Sequence, residues 1–205
     1  MISFLTLYAS SSCMIVALTG NIGSGKSEVA KIFRKAGYRI LNTDKIAHQL
    51  YKRGDIREKT AKAFGKKILT NGRIDRRKLK DVVFYSHSEL RKLNKIIHPE
   101  IIKEIRKRSK GKTLIEGALL IEAGFRDYDK LILVTIDKEK QIQRLLEKGK
   151  YREKELENII RSQMPQEKKL KYADYIIDNS GTKKELEKNV RKLVKEFNLL
   201  PHLSH

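Results

Sequence analysis

The fold of this chain is constrained most by the stretch Gly20-Asn21-Ile22-Gly23-Ser24-Gly25-Lys26-Ser27, which fits G-x-x-x-x-G-K-[ST]. Its flanks are the ones that such a loop requires. Before it, Ile15-Val16-Ala17-Leu18-Thr19 is a short apolar run of the kind that fills a buried strand. After it, Val29, Ala30, Ile32, Phe33 and Ala36 recur at helical spacing and stop at Gly37, a good helix terminator. Strand, glycine-rich turn and helix in that order make a phosphate cradle. The glycines let successive N–H groups turn toward one point that a Cβ would obstruct. The open N-terminus of the following helix adds further donors and the positive end of its dipole. Lys26 has the reach for the β- and γ-phosphates of a nucleotide, and the hydroxyl of Ser27 suits the shell of a Mg²⁺ ion. Gly20, Asn21, Ile22, Gly23, Ser24, Gly25, Lys26, Ser27 and Glu28 are therefore expected to bind ATP, with Ser27 as the protein's metal ligand.

Four further strands are expected at Tyr38–Asn42, at Thr113–Ile115 ending on Glu116, from Lys130 to Ile136, and at Tyr175–Ile177. Helices alternate with them, one from about Asp137 and a last one from about Thr182 to Phe197. That alternation implies a parallel α/β sheet. Two stretches break it. Residues 45–110 carry only helical patterns, such as Leu79-Val82-Val83 and Leu90-Leu93-Ile96-Ile97, and residues 148–173 hold two short helices separated by Pro165. The expected organisation is a nucleotide-binding core of residues 14–44, 111–147 and 174–205, an all-helical insertion over 45–110 and a helical lid over 148–173.

Composition narrows the class. With 205 residues and 40% hydrophobic content the chain can bury one ordinary core, and its apolar runs fall far short of the ~20 residues that cross a bilayer. One cysteine, Cys13, excludes a disulfide scaffold, so a reduced, cytoplasmic protein is expected. Residues 1–13 are uncharged and precede a second methionine, Met14, so the native fold is expected to start there. The formal charge is +21, and residues 52–112 hold 21 Lys or Arg against 7 Asp or Glu. Two accounts of that cluster stand: a ligand rich in phosphate, or the charged surface of a heat-adapted protein.

The remaining motifs choose among nucleotide-binding enzymes. No N-K-x-D follows a later strand, which argues against a GTPase. A small core with an insertion after its second strand and a basic flap late in the chain is laid out like a small-molecule kinase, in which the flap closes to exclude water. The fold class expected is thus α/β: a five-stranded parallel P-loop kinase core with a helical insertion and a helical lid.

From Met14 to about Lys195 the chain resembles the dephospho-coenzyme A kinase family. The matching pieces are ALTGNIGSGKS (17–27), TDKIAH (43–48), IDRRKL (74–79), LNKIIHPEI (93–101), ALLIE (118–122), RSQMPQEKKL (161–170) and ADYIIDNSG (173–181). The resemblance implies ATP- and Mg²⁺-dependent phosphorylation of the ribose 3′-hydroxyl of dephospho-coenzyme A, with the insertion holding that acceptor. It also implies that Asp44 is the base for the attacking hydroxyl, that Arg144 and Arg161 steady the transferring phosphoryl group with Lys148 helping, and that Asn179 lies beside the adenine. His98 would then face the acceptor, and one of Arg76 and Arg77 its pyrophosphate, while the other belongs to the surface. Lys26, Asp44 and Arg144 form the expected catalytic set; Asp44, Arg76, Arg77, His98 and Arg161 form the expected acceptor set.

Read from the residues alone, Asp44 also suits the N-terminus of a helix running from Lys45, and His98-Pro99 reads as a helix start with Pro99 at its first position. The chain departs from the family where Asn42 replaces the first aspartate of an Asp-x-Asp pair, where Glu116 and Ala118 stand for an aspartate and a proline, and where Lys148 stands for an arginine. A different kinase acceptor, or a nucleic-acid-binding protein with a regulatory ATP site, are the competing readings. The second lacks any reader motif or aromatic-basic platform. No nucleic acid, no membrane and a monomer or weak oligomer are expected, with no ligand spacing among the histidines at 48, 87, 202 and 205.

Overall fold

The computed structural model describes residues 14–83, 86–147, 149 and 153–199; the segment 1–13 and Lys148 lie outside the described residues. The central strand is β1 (Met14–Thr19), and it leads through residues 20–25 into α1 (Lys26–Lys35). Then come β2 (Arg39–Asn42), α2 (Thr43–Leu50), α3 (Gly54–Phe64), a hairpin of β3 (Leu69–Thr70) and β4 (Arg73–Ile74), α4 (Arg76–Val83) and the long α5 (His87–Arg108). The chain returns to the sheet with β5 (Lys112–Glu116) and β6 (Lys130–Thr135), passes α6 (Lys138–Glu147), α7 (Glu153–Ser162) and α8 (Gln166–Lys169), and closes with β7 (Tyr175–Asp178) and α9 (Lys183–Leu199).

The large sheet has the order β2-β5-β1-β6-β7, with every pairing parallel. All five expected strands are present. The order reverses on either side of β1, so the crevice beyond its carboxyl end is where an open sheet of this kind takes a ligand. β1 reads as a continuous apolar run because both of its faces are covered. On one face Val16 and Leu18 pack with Val29 and Phe33 of α1 and with Val190 and Phe197 of α9. On the other, Ala17, Ile115 and Leu131 meet Ile46 and Leu50 of α2, Ile97 and Ile105 of α5, and Phe125. Strand starts are tied by carboxylates: Ile15 donates its N–H to Asp129 Oδ2 and Leu131 donates to Asp174 Oδ2, both at 2.7 Å.

The insertion has a small core of its own, formed by Phe64, Ile68, Leu79, Val83 and Leu93. It is not wholly helical. Asn71 (φ 49°) and Gly72 (φ 70°) turn the chain between β3 and β4, with Thr70 opposite Arg73. Two successive left-handed residues are what a two-residue hairpin turn demands, and Asn-Gly is its strongest sequence signal.

The expected helix start at His98-Pro99 is corrected too. Pro99 lies inside α5, which begins after Ser86, whose hydroxyl accepts the N–H of Glu89 (3.3 Å). Proline inside a helix costs roughly 3 kcal/mol. Leu93, Ile97 and Ile105 are each at most 7% exposed along the same helix. Burying each such side chain gains roughly 1.5–3 kcal/mol. The apolar stripe wins, and the helix runs through the proline.

The α1–α9 packing rests on Phe33, which is fully buried, edge-to-face with Tyr38 (5.0 Å between centroids) and 6.1 Å from the Phe197 ring. Phe33→Ala is expected to lower the unfolding free energy by about 3–5 kcal/mol, read by urea denaturation; a loss under about 1 kcal/mol would show that this layer does not hold the sheet.

Candidate active site

The loop after β1 is shaped by glycines where side chains cannot go. Gly25 (φ 95°) is the residue from which α1 springs, and a Cβ there would run into the side-chain amide of Asn179. Gly20 (φ 146°) lies so close to the Val134 carbonyl that a Cβ would collide with it. Three side-chain amides then hold the loop's backbone. Gln141 of α6 donates to the Ile22 carbonyl (2.6 Å), and Gln163, beyond α7, accepts the Ile22 N–H (2.9 Å). Asn179, just past β7, donates to the Ser24 carbonyl (2.8 Å).

Lys26 folds over this loop, its ammonium donating to the carbonyls of Gly20 (2.8 Å) and Asn21 (3.0 Å). Burial lowers its pKa to about 8, and the charge of Lys169 adds to that, while Glu116, Asp44 and Glu122 oppose it. Two buried oxygens nearby, Asn21 Oδ1 and Ser24 Oγ, have no hydrogen-bond partner among the described residues.

A cavity of about 500 Å³ opens from the loop into the insertion. Its lining includes Ile22, Gly23, Gly25, Lys26 and Ser27 from the loop and the start of α1, the carboxylates Asp44 and Glu116, and Ile97, His98, Ile101 and Ile105 of α5. Asp44 is there because α2 starts immediately after β2. The side chain of Asn42 caps that helix by accepting the Lys45 N–H (2.9 Å), and its amide donates to Glu116 Oε2 (2.8 Å). The two sequence readings of Asp44, first-turn residue and cavity carboxylate, therefore describe one position. Asn42 cannot supply a second carboxylate, but as a neutral amide it fixes both the helix start and Glu116. His98 is half-buried, and burial lowers its pKa against the opposing charge of Glu122.

The other expected residues fall around this cavity rather than inside it. Arg76 lies in α4 and donates to His48 Nδ1 (3.0 Å), a contact that takes the neutral imidazole because a guanidinium has no acceptor. Its charge acts on the partly buried Tyr51, a cavity residue whose phenol is pushed up to about 12 by desolvation. Arg77 is exposed, its backbone N–H on Asp75. Arg144 lines a second hollow of about 440 Å³ with Lys140, Gln143, Ser180 and Thr182. Arg161 is 73% exposed with a 3.8 Å pairing to Glu157, and Glu28 pairs with Lys31 (2.7 Å). The sequence reading missed Gln141, Gln163, Glu122 and Lys169. A glutamine three residues before Arg144 carried no signal by itself, since only the fold shows that it reaches Ile22.

Among the described residues no three His, Cys, Asp or Glu form a metal cluster. Ser27, Asp44 and Glu116 nonetheless present oxygen donors to one cavity. Such a set fits a Mg²⁺ ion that arrives with nucleotide phosphates rather than one caged by protein alone. No described helix is long and apolar enough to cross a membrane.

A family model described as dephospho-CoA kinase matches residues 14–185. The chain is 44% identical to the dephospho-CoA kinase of Aquifex aeolicus over 190 residues, covering 89% of this chain and 96% of that one. It is 40% identical to that of Fusobacterium nucleatum, covering 88% and 97%. The solved dephospho-CoA kinase of Campylobacter jejuni superposes with a TM-score of 0.61 at 27% identity, over 89% of this chain and 96% of that one.

A lowered Lys26 pKa has a definite sign. Between about pH 8 and the ordinary lysine value the unfolded chain holds more protons, so the free protein gains stability as pH rises there. A bound polyphosphate reverses that by favouring the ammonium. Nucleoside triphosphate affinity, measured by calorimetry, should fall on the order of tenfold from pH 8 to 9.5. Lys26→Met should bind weakly and without that slope, and a flat wild-type profile would contradict this assignment.

Proposed function

The chain belongs to the dephospho-CoA kinase family, and from that premise we propose that Asp44 is the base of its phosphoryl transfer, with Lys26 and Ser27 on the phosphates and the insertion around the acceptor. The reaction is the ATP-dependent phosphorylation of dephospho-CoA, the last step of coenzyme A synthesis. The observation that carries the site proposal is that the phosphate loop, Asp44 and the apolar face of α5 line one continuous cavity.

In this reading the γ-phosphoryl leaves the β–γ bridging oxygen of ATP for the ribose 3′-oxygen of the acceptor. The proton of that hydroxyl goes to Asp44, and ADP departs. Loop amides and the Lys26 ammonium balance charge that spreads over the phosphoryl oxygens. Ser27, with the carboxylates of Asp44 and Glu116 in the same cavity, would hold a Mg²⁺ ion arriving with ATP, which would supply further neutralisation of phosphate charge. Asn179 and the hollow that holds Arg144 suit the adenine side. Arg161, from an exposed helix face, acts only after the lid of residues 148–173 closes; Lys148, outside the described residues, belongs to the same segment. Arg76 serves the pyrophosphate of the acceptor, His98 its cleft, and Arg77 the surface. A cytoplasmic enzyme, monomeric or weakly associating, with core, insertion and lid bounded as above, completes the proposal.

ADP release coupled to Mg-ATP, with dephospho-CoA, shikimate and AMP compared side by side, is expected to report turnover with dephospho-CoA alone. Asp44→Asn should cut kcat by about 10²-fold or more while nucleotide affinity stays near wild type. Near-wild-type turnover in that variant would remove Asp44 from the chemistry.

A further inference from the structure

Among the described residues, Lys169 is the only charged one with no exposed surface (0%). Removing an ammonium from water costs several kcal/mol, and an uncharged side chain of similar length would pack without that cost. What the charge holds offsets it. Nζ donates to the Ala118 carbonyl (2.8 Å) and to Glu122 Oε1 (3.0 Å). The Ala118 carbonyl also takes the Thr19 hydroxyl (3.4 Å) at the end of β1, and Glu122 Oε1 also accepts the Met164 N–H (3.0 Å). The central strand, the turn after β5 and the base of the lid therefore meet on one ion pair whose ammonium is fully buried.

Each of those segments borders the reaction. The turn supplies Ala118, Leu119, Leu120 and Ala123 to the cavity wall. The lid base reaches the phosphate loop through Gln163 and the end of β6 through Gln166, whose Oε1 accepts the Ile136 N–H (3.0 Å). The second oxygen of Glu122 is buried with no hydrogen-bond partner among the described residues, and the Glu122 charge acts on both Lys26 and His98.

We propose that Lys169 is a positioning residue for the transfer: working through Glu122 and the Ala118 carbonyl, it locks the acceptor-side wall of the cavity to the phosphate loop from the base of the lid. Lys169 touches neither substrate. It sets the distance between the wall that holds the acceptor and the loop that holds the phosphates, and a shift of about 1 Å there is enough to cost 10²-fold in rate. The proposal rests on the kinase reading for its kinetic signature, not for its structural one.

The test compares wild type, Lys169→Met and Glu122→Gln. In Lys169→Met, kcat should fall about tenfold and KM for dephospho-CoA rise about fivefold, with KM for ATP within about twofold. Glu122→Gln, which keeps size and one acceptor oxygen, should shift the same two parameters less. Backbone amides of Ala123, Gly124 and Phe125, bonded to Leu119, Ile121 and Leu120, should exchange with deuterium about fivefold faster in Lys169→Met whether or not turnover is seen. A folded Lys169→Met with wild-type kinetics or unchanged exchange in that turn overturns the proposal. So does equal loss for both substrates, the mark of general destabilisation. If Lys169→Met does not fold, Glu122→Gln decides on the same readouts. Absence of wild-type turnover would instead overturn the acceptor assignment, and exchange would still judge Lys169.

Discussion

Everything functional in this molecule depends on keeping one stretch of backbone, residues 20–25, in a conformation that would collapse if left alone. Glycines permit that conformation but do not enforce it. Enforcement comes from amides on three separate elements: Gln141 and Gln163 hold the two sides of the Ile22 peptide region, and Asn179 holds Ser24. Because Gln141 lies in α6, Gln163 beyond α7 and Asn179 past β7, the loop keeps its shape only once the late half of the chain has packed against the early half. The parallel sheet is the frame that makes this possible. It brings the carboxyl ends of β1, β6 and β7 together, so groups over 100 residues apart bear on the same turn.

Legibility in the sequence followed the range of the interaction. Local patterns were readable: the five apolar strands, the helical stripe after Gly25, and the coincidence of Asp44 with a strand end. Two features were readable in principle and were overridden or overlooked. The Asn71-Gly72 turn carries its own backbone signal within a basic, otherwise helical stretch. Pro99 signals a helix boundary locally, and tertiary burial of Leu93, Ile97 and Ile105 outweighs it. The amide clamps and Lys169 were not readable. A glutamine or a lysine in a polar run looks like a solvated face until the fold shows which backbone atom it meets.

The charges around Lys26 form a balance rather than a patch. Glu116, Asp44 and Glu122 favour its ammonium, while burial and Lys169 disfavour it. Asn42 matters here by being neutral: it orients Glu116 without adding a further negative charge near Lys26. The basic excess of residues 52–112 belongs mainly to the insertion. The proposed acceptor, which carries its own pyrophosphate, would meet that positive stretch of chain on its approach.

The placement of the insertion between β2 and β5 also bears on how the chain finds its fold. These strands are neighbours in the sheet, yet Asn42 and Glu116 are 74 residues apart. β1 needs both β5 and β6, so no pair in the sheet forms between strands that follow one another closely until the chain has already passed through α5. The insertion's own cluster of Phe64, Ile68, Leu79, Val83 and Leu93 draws on short-range contacts. Local helical packing is fast and distant strand pairing is slow. Folding would thus start in the insertion, and a compact insertion shortens the effective loop that the sheet must close. The nucleotide side, whose loop waits on α6, β7 and the lid base, would be completed last.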